Sequence, residues 1–357
     1  MRLDPRTLGI AALAIAGFAA AALLDESLLS VYVLLALTAS VTIGVSLLMG
    51  HAGQVSLGHG AFYACGAYAA GILATHGAPT WLGLLLAPVA AAAVATVVGV
   101  PLLLLRGHHL AFATLAFHLI SLSLISELSV TGGDVGLQGI PRLSIAGLTL
   151  TSVRSYAYLS CAALLLIVLV ARNILGSRPG RALRALSSSE VAAASSGVAV
   201  GHYKLAVFAL SAGFAGLAGG IYAFYMGYLA PGSFPVMLSI EYIVMATVGG
   251  LGKVSGALTG STLVFLFAHG LSRVGTLSGM PSTAPIILSY AVYAVLLVSA
   301  VLFLPGGVVG GIAALGARTR AGKSLALTEP KGRTPSGEKP PEPATSEPVA
   351  SKHGSFS

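Results

Sequence analysis

Ten stretches of this chain are apolar over lengths that only a bilayer or a fully buried core can absorb. They cover residues 7–24, 28–49, 61–75, 81–105, 110–128, 155–171, 205–225, 237–249, 254–270 and 285–304. An α-helix needs about 20 apolar residues to cross roughly 30 Å of hydrocarbon, and most of these stretches approach or exceed that length. Those near 61 and 237 are short. Charge is scarce in proportion: 8% of the residues are charged and the mean hydropathy is +0.91, where a soluble domain carries about a quarter charged residues. No stretch alternates with period two, which argues against a transmembrane barrel. The expected fold class is all-α, a polytopic membrane protein with about ten transmembrane helices.

Orientation follows from the basic residues. With a cytoplasmic N-terminus, the inner segments hold Arg2, Arg6, Arg106, Arg172, Arg178, Arg181, Arg184, Lys204, Lys253 and seven more beyond 317, whereas the outer ones hold Arg142, Arg154 and Arg273. That asymmetry follows the positive-inside rule and places both termini in the cytoplasm. The net charge of +8 is therefore a topology signal. Its carriers are dispersed without aromatic interleaving, so no nucleic-acid partner is expected. Arg2 and Arg6 ahead of an apolar run also fit a signal peptide, a rival reading that leaves the later topology unchanged. Cys65 and Cys161 fall inside spans and read as small apolar residues.

The chain divides into a transmembrane domain over 1–315 and a tail over 316–357. Pro, Ser, Gly, Glu and Lys dominate the tail, which cannot bury enough apolar area to offset its ordering entropy. It is expected to be a disordered cytoplasmic segment.

Polar residues inside the spans fall on faces. Thr38, Thr42 and Ser46 recur every four residues, and Thr114, His118 and Ser121 line up similarly. Such stripes line a water-filled path or hydrogen-bond between helices, and the pattern leaves both open. Gly252, Gly256 and Gly260, like Ala212, Gly216 and Gly220, are spaced for close helix packing. Glu241 is expected near the outer start of its span, within reach of water.

Two connections carry more information. "GHAGQVSLGHGAF", from Gly50 to Phe62, sets glycines, histidines, Gln54 and Ser56 between two apolar spans. Gly-rich backbone at a membrane boundary permits a sharp bend. This bend is expected to bring Gln54, Ser56 and His59 to the inner end of a pathway. The second connection, 172–204, contains Ser187 and Glu190 at capping-box spacing. A short helix is expected to begin at Ser187, end near Gly197, and dock on a partner or rest on the membrane surface.

In their order along residues 28–310, "GHAGQVSLGHGAFYACGAYAAGIL", "LRGHHLAFATLAF", "TGGDVGLQGIP", "GRALRALSSSEVAAASSGVAVGHYKLAVFALSAGFAGLAGGIYA" and "SIEYIVMATVGGLGKVSGALTGS" resemble the M-type permease subunit of branched-chain amino acid ABC importers. The resemblance implies a type II importer fold in a bacterial inner membrane and a paralogous H-type permease subunit. It also implies two cytoplasmic ATPase subunits, an extracytoplasmic solute-binding protein and contact with membrane lipid. It further implies that Gly180, Arg181, Arg184, Glu190, Ala193 and Gly197 belong to an ATPase-coupling loop. Gly53, Gln54, Ser56, Gly58 and His59 would lie near the translocation pathway, to which Thr114 and His118 are added from the stripe of the fifth span. Three departures stand out: Ser187, Ser188 and Ser189 precede Glu190 where charged residues are usual, His109 replaces a tyrosine, and Asp134 lies one position early.

No catalytic residue, metal ligand set or bound cofactor is expected on this chain. "VGGLGKVSG" follows Thr247 where a phosphate loop needs glycine and has Val254 after its lysine, so ATP hydrolysis is not expected here; the resemblance implies that ATP is used by partner subunits. Two histidines eight apart, His51 and His59, do not make a metal site. The leading function is uptake of branched-chain amino acids. Urea or short amides, and proton-coupled transport through His118 or Glu127, are the alternatives.

Overall fold

The computed structural model describes residues 5–105, 107–145, 147–274, 284–303, 307, 308 and 310. Twelve helices appear among them: α1 (Pro5–Leu23), α2 (Glu26–Ala52), α3 (His59–Thr75), α4 (Thr80–Leu102), α5 (His108–Glu127), α6 (Val153–Gly176), α7 (Arg178–Ser188), α8 (Glu190–Ser195), α9 (Val200–Met226), α10 (Val236–Gly249), α11 (Val254–Val274) and α12 (Ala284–Phe303). Every one of the ten apolar stretches lies on a helix. Seven described helical segments are long and apolar enough to cross a membrane, by length and composition. The 17-residue α3 and the 14-residue α10 are the short pair foreseen near 61 and 237. Between α5 and α6 lies a two-stranded ribbon, β1 (Ser144–Ile145) with β2 (Leu148–Thr149). The tail expected over 316–357 lies outside the described residues.

Small residues decide which helices touch. A Cβ added at Gly66 of α3 would strike the backbone of Gly216 in α9, and one at Gly219 would strike the Tyr63 carbonyl. On its other side α9 sets Gly216 and Gly220 against Ala87 and Ala91 of α4. α9 is thus sandwiched at near-backbone distance, where dispersion rather than water release holds helices together in lipid. The foreseen Gly252, Gly256, Gly260 series divides: Gly256 and Gly260 abut Gly249 of α10, whereas Gly252 lies at the turn before α11 and approaches Gly50 of α2.

The bundle has two ends. At one, α7 and α8 connect α6 to α9, with Arg172, Arg178, Arg181, Arg184 and Lys204 nearby. At the other lie the ribbon and Arg142 and Arg154.

Two spans are broken, and their breaks meet. The chain turns at Gly53, whose φ of 63° is left-handed, and then rises into the bundle in an extended stretch. Leu57 N–H donates to Thr114 Oγ1 at 2.9 Å, and Thr114 is the seventh residue of α5. The first residue of α3, His59, pairs with Ser211, the twelfth of 27 residues in α9. Gly60 N–H reaches Ser239 Oγ at the start of α10. Ser239 in turn contacts His118, the eleventh of 20 residues in α5. From Ser239 to Gly249, α10 descends about 15 Å at 1.5 Å per residue. Hence α3 and α10 both begin at mid-bundle and run to opposite ends.

This corrects two expectations. The segment over Gln54 to His59 climbs from the α7/α8 end to mid-depth instead of staying at the inner mouth, because Leu57 N–H and the following Gly60 N–H find hydroxyl partners on α5 and α10. Glu241, two residues beyond Ser239, lies at mid-depth rather than near the outer end, because α10 starts there.

Candidate functional site

The meeting point of the broken spans is a buried polar joint. Ser239 Oγ accepts from Gly60 N–H at 2.9 Å and donates to His118 Nδ1 at 3.2 Å. With Nδ1 accepting, the His118 proton sits on Nε2 and is donated to the Phe234 carbonyl at 3.2 Å. Both ring nitrogens are occupied in the neutral form. Thr114 Oγ1 likewise accepts from Leu57 and donates to the Ala111 carbonyl. Nε2 of His59 lies 2.6 Å from Ser211 Oγ, and its ring meets Phe62 edge-on. Ser56 Oγ accepts from Gly58 N–H. Gln54 is 4% exposed, and its Oε1 has no hydrogen-bond partner among the described residues.

All five residues foreseen along a pathway, Gln54, Ser56, His59, Thr114 and His118, are buried, and His59, Thr114 and His118 form a seam that joins the head of α3 to α5, α9 and α10. Buried polar groups are costly unless paired, and the pairing here holds an irregular backbone inside the bundle. The stripe of α2 behaves similarly. Thr42 bonds back to the Thr38 carbonyl, and Ser46 accepts from Gly252 N–H. His51 faces Gly252 while His59 faces Ser211, so the two histidines part to separate neighbours. Ser239 escaped the sequence reading; its contacts lie 121 and 179 residues away, and no local pattern marks it.

The connection between α6 and α9 forms two helices. Gly180, Leu183 and Leu186 are buried on one face of α7, and a Cβ at Gly180 would strike the carbonyls of Ile174 and Leu175. Arg184 donates to the Leu175 carbonyl at 2.7 Å, while Arg181 is exposed. The expected start at Ser187 is corrected. Ser187 belongs to α7, which is carried through Ser188 by its buried leucines, and Ser189 caps α8 by accepting from Ala192 N–H at 3.2 Å. Glu190 does not reach back to a capping position; it forms an ion pair with Lys204 of α9. Gly197 has a φ of 82° just past the helix, and Val198 N–H returns to the Ala193 carbonyl, which is a glycine-dependent C-terminal stop. Ala193 is 1% exposed, packed within the chain itself, whereas Val191 is 81% exposed. The outward face of α8 is accordingly carried by Val191.

At the ribbon end, Gly132, Gly133 and Gly136 all take positive φ, and Tyr228 Oη donates to the Val135 carbonyl. Leu137 bridges to Leu229. Asp134 is exposed on this turn.

Apolar helices in this number, with two that begin at mid-bundle, describe a multi-pass membrane protein. Residues 26–315 match the family described as the branched-chain amino acid transport system permease component, and the chain belongs to that family. It is 32% identical over 259 residues to the high-affinity branched-chain amino acid transport system permease protein LivM of Salmonella typhimurium LT2, covering 66% of this chain and 60% of that protein. Against the protein of the same name from Escherichia coli K12 the identity is 32% over 252 residues, covering 64% and 58%. The chain thus matches about three fifths of the length of these relatives. No solved structure matches it significantly.

Proposed function

We propose that this chain is a transmembrane subunit of an ATP-driven importer for branched-chain amino acids. It would form the translocation pathway with a second, paralogous permease chain, take substrate from an extracytoplasmic binding protein at the ribbon end, and receive force from two ATPase subunits at the α7/α8 end. Family membership, together with the activity for which the relatives are named, carries this reading. The basic residues clustered at the α7/α8 end favour that end, and with it both termini, as cytoplasmic. The chain would bind no cofactor, and ATP would be consumed by its partners.

The geometry suggests how force enters. α8 presents Val191 outward and is tied to α9 through the Glu190–Lys204 pair and buried Ala193. α7 packs on α2 and α6 through Gly180, Leu183 and Leu186. A push on α8 therefore moves α9, whose Ser211 holds His59 at the head of α3. Proton-coupled transport through His118 is disfavoured, since both its ring nitrogens are engaged. Glu127 is exposed at the last position of α5, away from mid-depth.

Reconstitution tests the reading. Proteoliposomes holding this chain with its second permease and ATPase subunits, supplied with binding protein, should accumulate leucine only with ATP. Accumulation of urea but not leucine would transfer the assignment to short amides.

A further inference from the structure

Glu241 is an acidic side chain at mid-depth of an otherwise apolar unit, and the polar joint does not use it. Two placements agree on its depth. It follows Ser239 by two residues, and Ser239 touches the middle of α5. Tyr293, the tenth of 20 residues in α12, lies beside the Glu241 carboxylate. α10 itself begins at mid-bundle. Ionisable groups so placed are rare, and they mark substrate or ion pathways by default. Sites of this kind recur where discontinuous helices begin near the midplane.

Its surroundings are selective. Glu241 is half-buried, and Tyr293 beside it is 7% exposed. Val244, Val248 and Val292 are buried in the adjoining cluster, with Ile240 and Leu296 packed against it. One anionic acceptor at the edge of an aliphatic patch complements a molecule with an ammonium group beside a branched aliphatic chain. Few polar groups at defined points in an apolar lining are what a small-molecule site requires.

We propose that Glu241, beside Tyr293, is the point in the membrane at which the ammonium group of the transported amino acid is recognised. This rests on the amino-acid import reading above. As the zwitterion leaves water, the carboxylate replaces part of the lost hydration of its ammonium group. The substrate's aliphatic chain lies toward the valines.

The test uses the complete reconstituted transporter with leucine as the probe. Glu241→Gln keeps the shape and removes the charge; it should lower ATP-dependent leucine uptake at least tenfold while the chain still co-purifies with its ATPases. Glu241→Asp should retain more uptake than Glu241→Gln, and Tyr293→Phe should lose several-fold. Wild-type leucine uptake by Glu241→Gln overturns the proposal. So does loss of ATPase co-purification in Glu241→Gln together with unimpaired uptake by Tyr293→Phe, since the carboxylate is then structural. Leucine uptake driven by a proton gradient without ATPases, and abolished by Glu241→Gln, also overturns it and assigns the group to proton movement. A wild-type complex that carries no leucine at all defeats the import reading itself, a result separable from the others.

Discussion

Ser239 shows how much one hydroxyl can do at mid-depth. It satisfies the Gly60 N–H in the first turn of α3 and fixes the tautomer of His118, so its removal leaves two buried polar atoms without partners. Ser239→Ala should cost about 1–3 kcal/mol, the usual penalty for such orphans. His118→Ala should cost at least as much, and the double variant less than the sum, because the two share one network. Thermal unfolding of the purified protein in detergent measures all three; strict additivity would contradict the proposed joint. Glycines allow an equally direct comparison. Gly216→Val places atoms into Ala91 and the Ala87 carbonyl, and overpacking of that kind costs about 1–3 kcal/mol. Gly213→Ala meets nothing nearer than the Pro88 carbonyl at 3.5 Å, so its melting temperature should stay within a degree or two of wild type.

At the scale of elements, α8 separates two substitutions that the bare sequence would treat alike. Ala193 reads there as the residue facing a partner, yet it is packed against its own chain, and Val191 faces outward. Ala193→Arg should therefore destabilise the α7–α8 connection by about 2 kcal/mol or more. Val191→Arg should leave stability within about 0.5 kcal/mol while abolishing ATPase co-purification. Retained co-purification by Val191→Arg would remove α8 from the contact. The ten apolar runs were legible because a span is a one-dimensional property of hydropathy and length. The capping residue was not: both Ser187 and Ser189 suit the role, and the choice fell to Leu183 and Leu186, whose burial prolongs α7 past the first serine. The climb of Gln54 to His59 was equally hidden, since its depth is set by Thr114, Ser211 and Ser239, each far away in the chain.

Across the whole molecule, the basic residues at the α7/α8 end predict which faces meet which compartment. In a background lacking Cys65 and Cys161, Asp134→Cys should react with a membrane-impermeant maleimide on intact cells, and Ser195→Cys only after permeabilisation. The reverse pattern would invert the proposed topology. The close approach of α3, α9 and α4 has a different kind of consequence, in heredity. Every single-base change in a glycine codon that alters the residue either adds a β-carbon or ends the chain, and at Gly66, Gly216 and Gly219 a β-carbon meets backbone or a neighbouring methyl. These positions have no mild missense neighbours, so variants there should vanish from a population of functional clones while those at Gly213 persist. The tightest seam of the bundle is thus also its least forgiving stretch of gene.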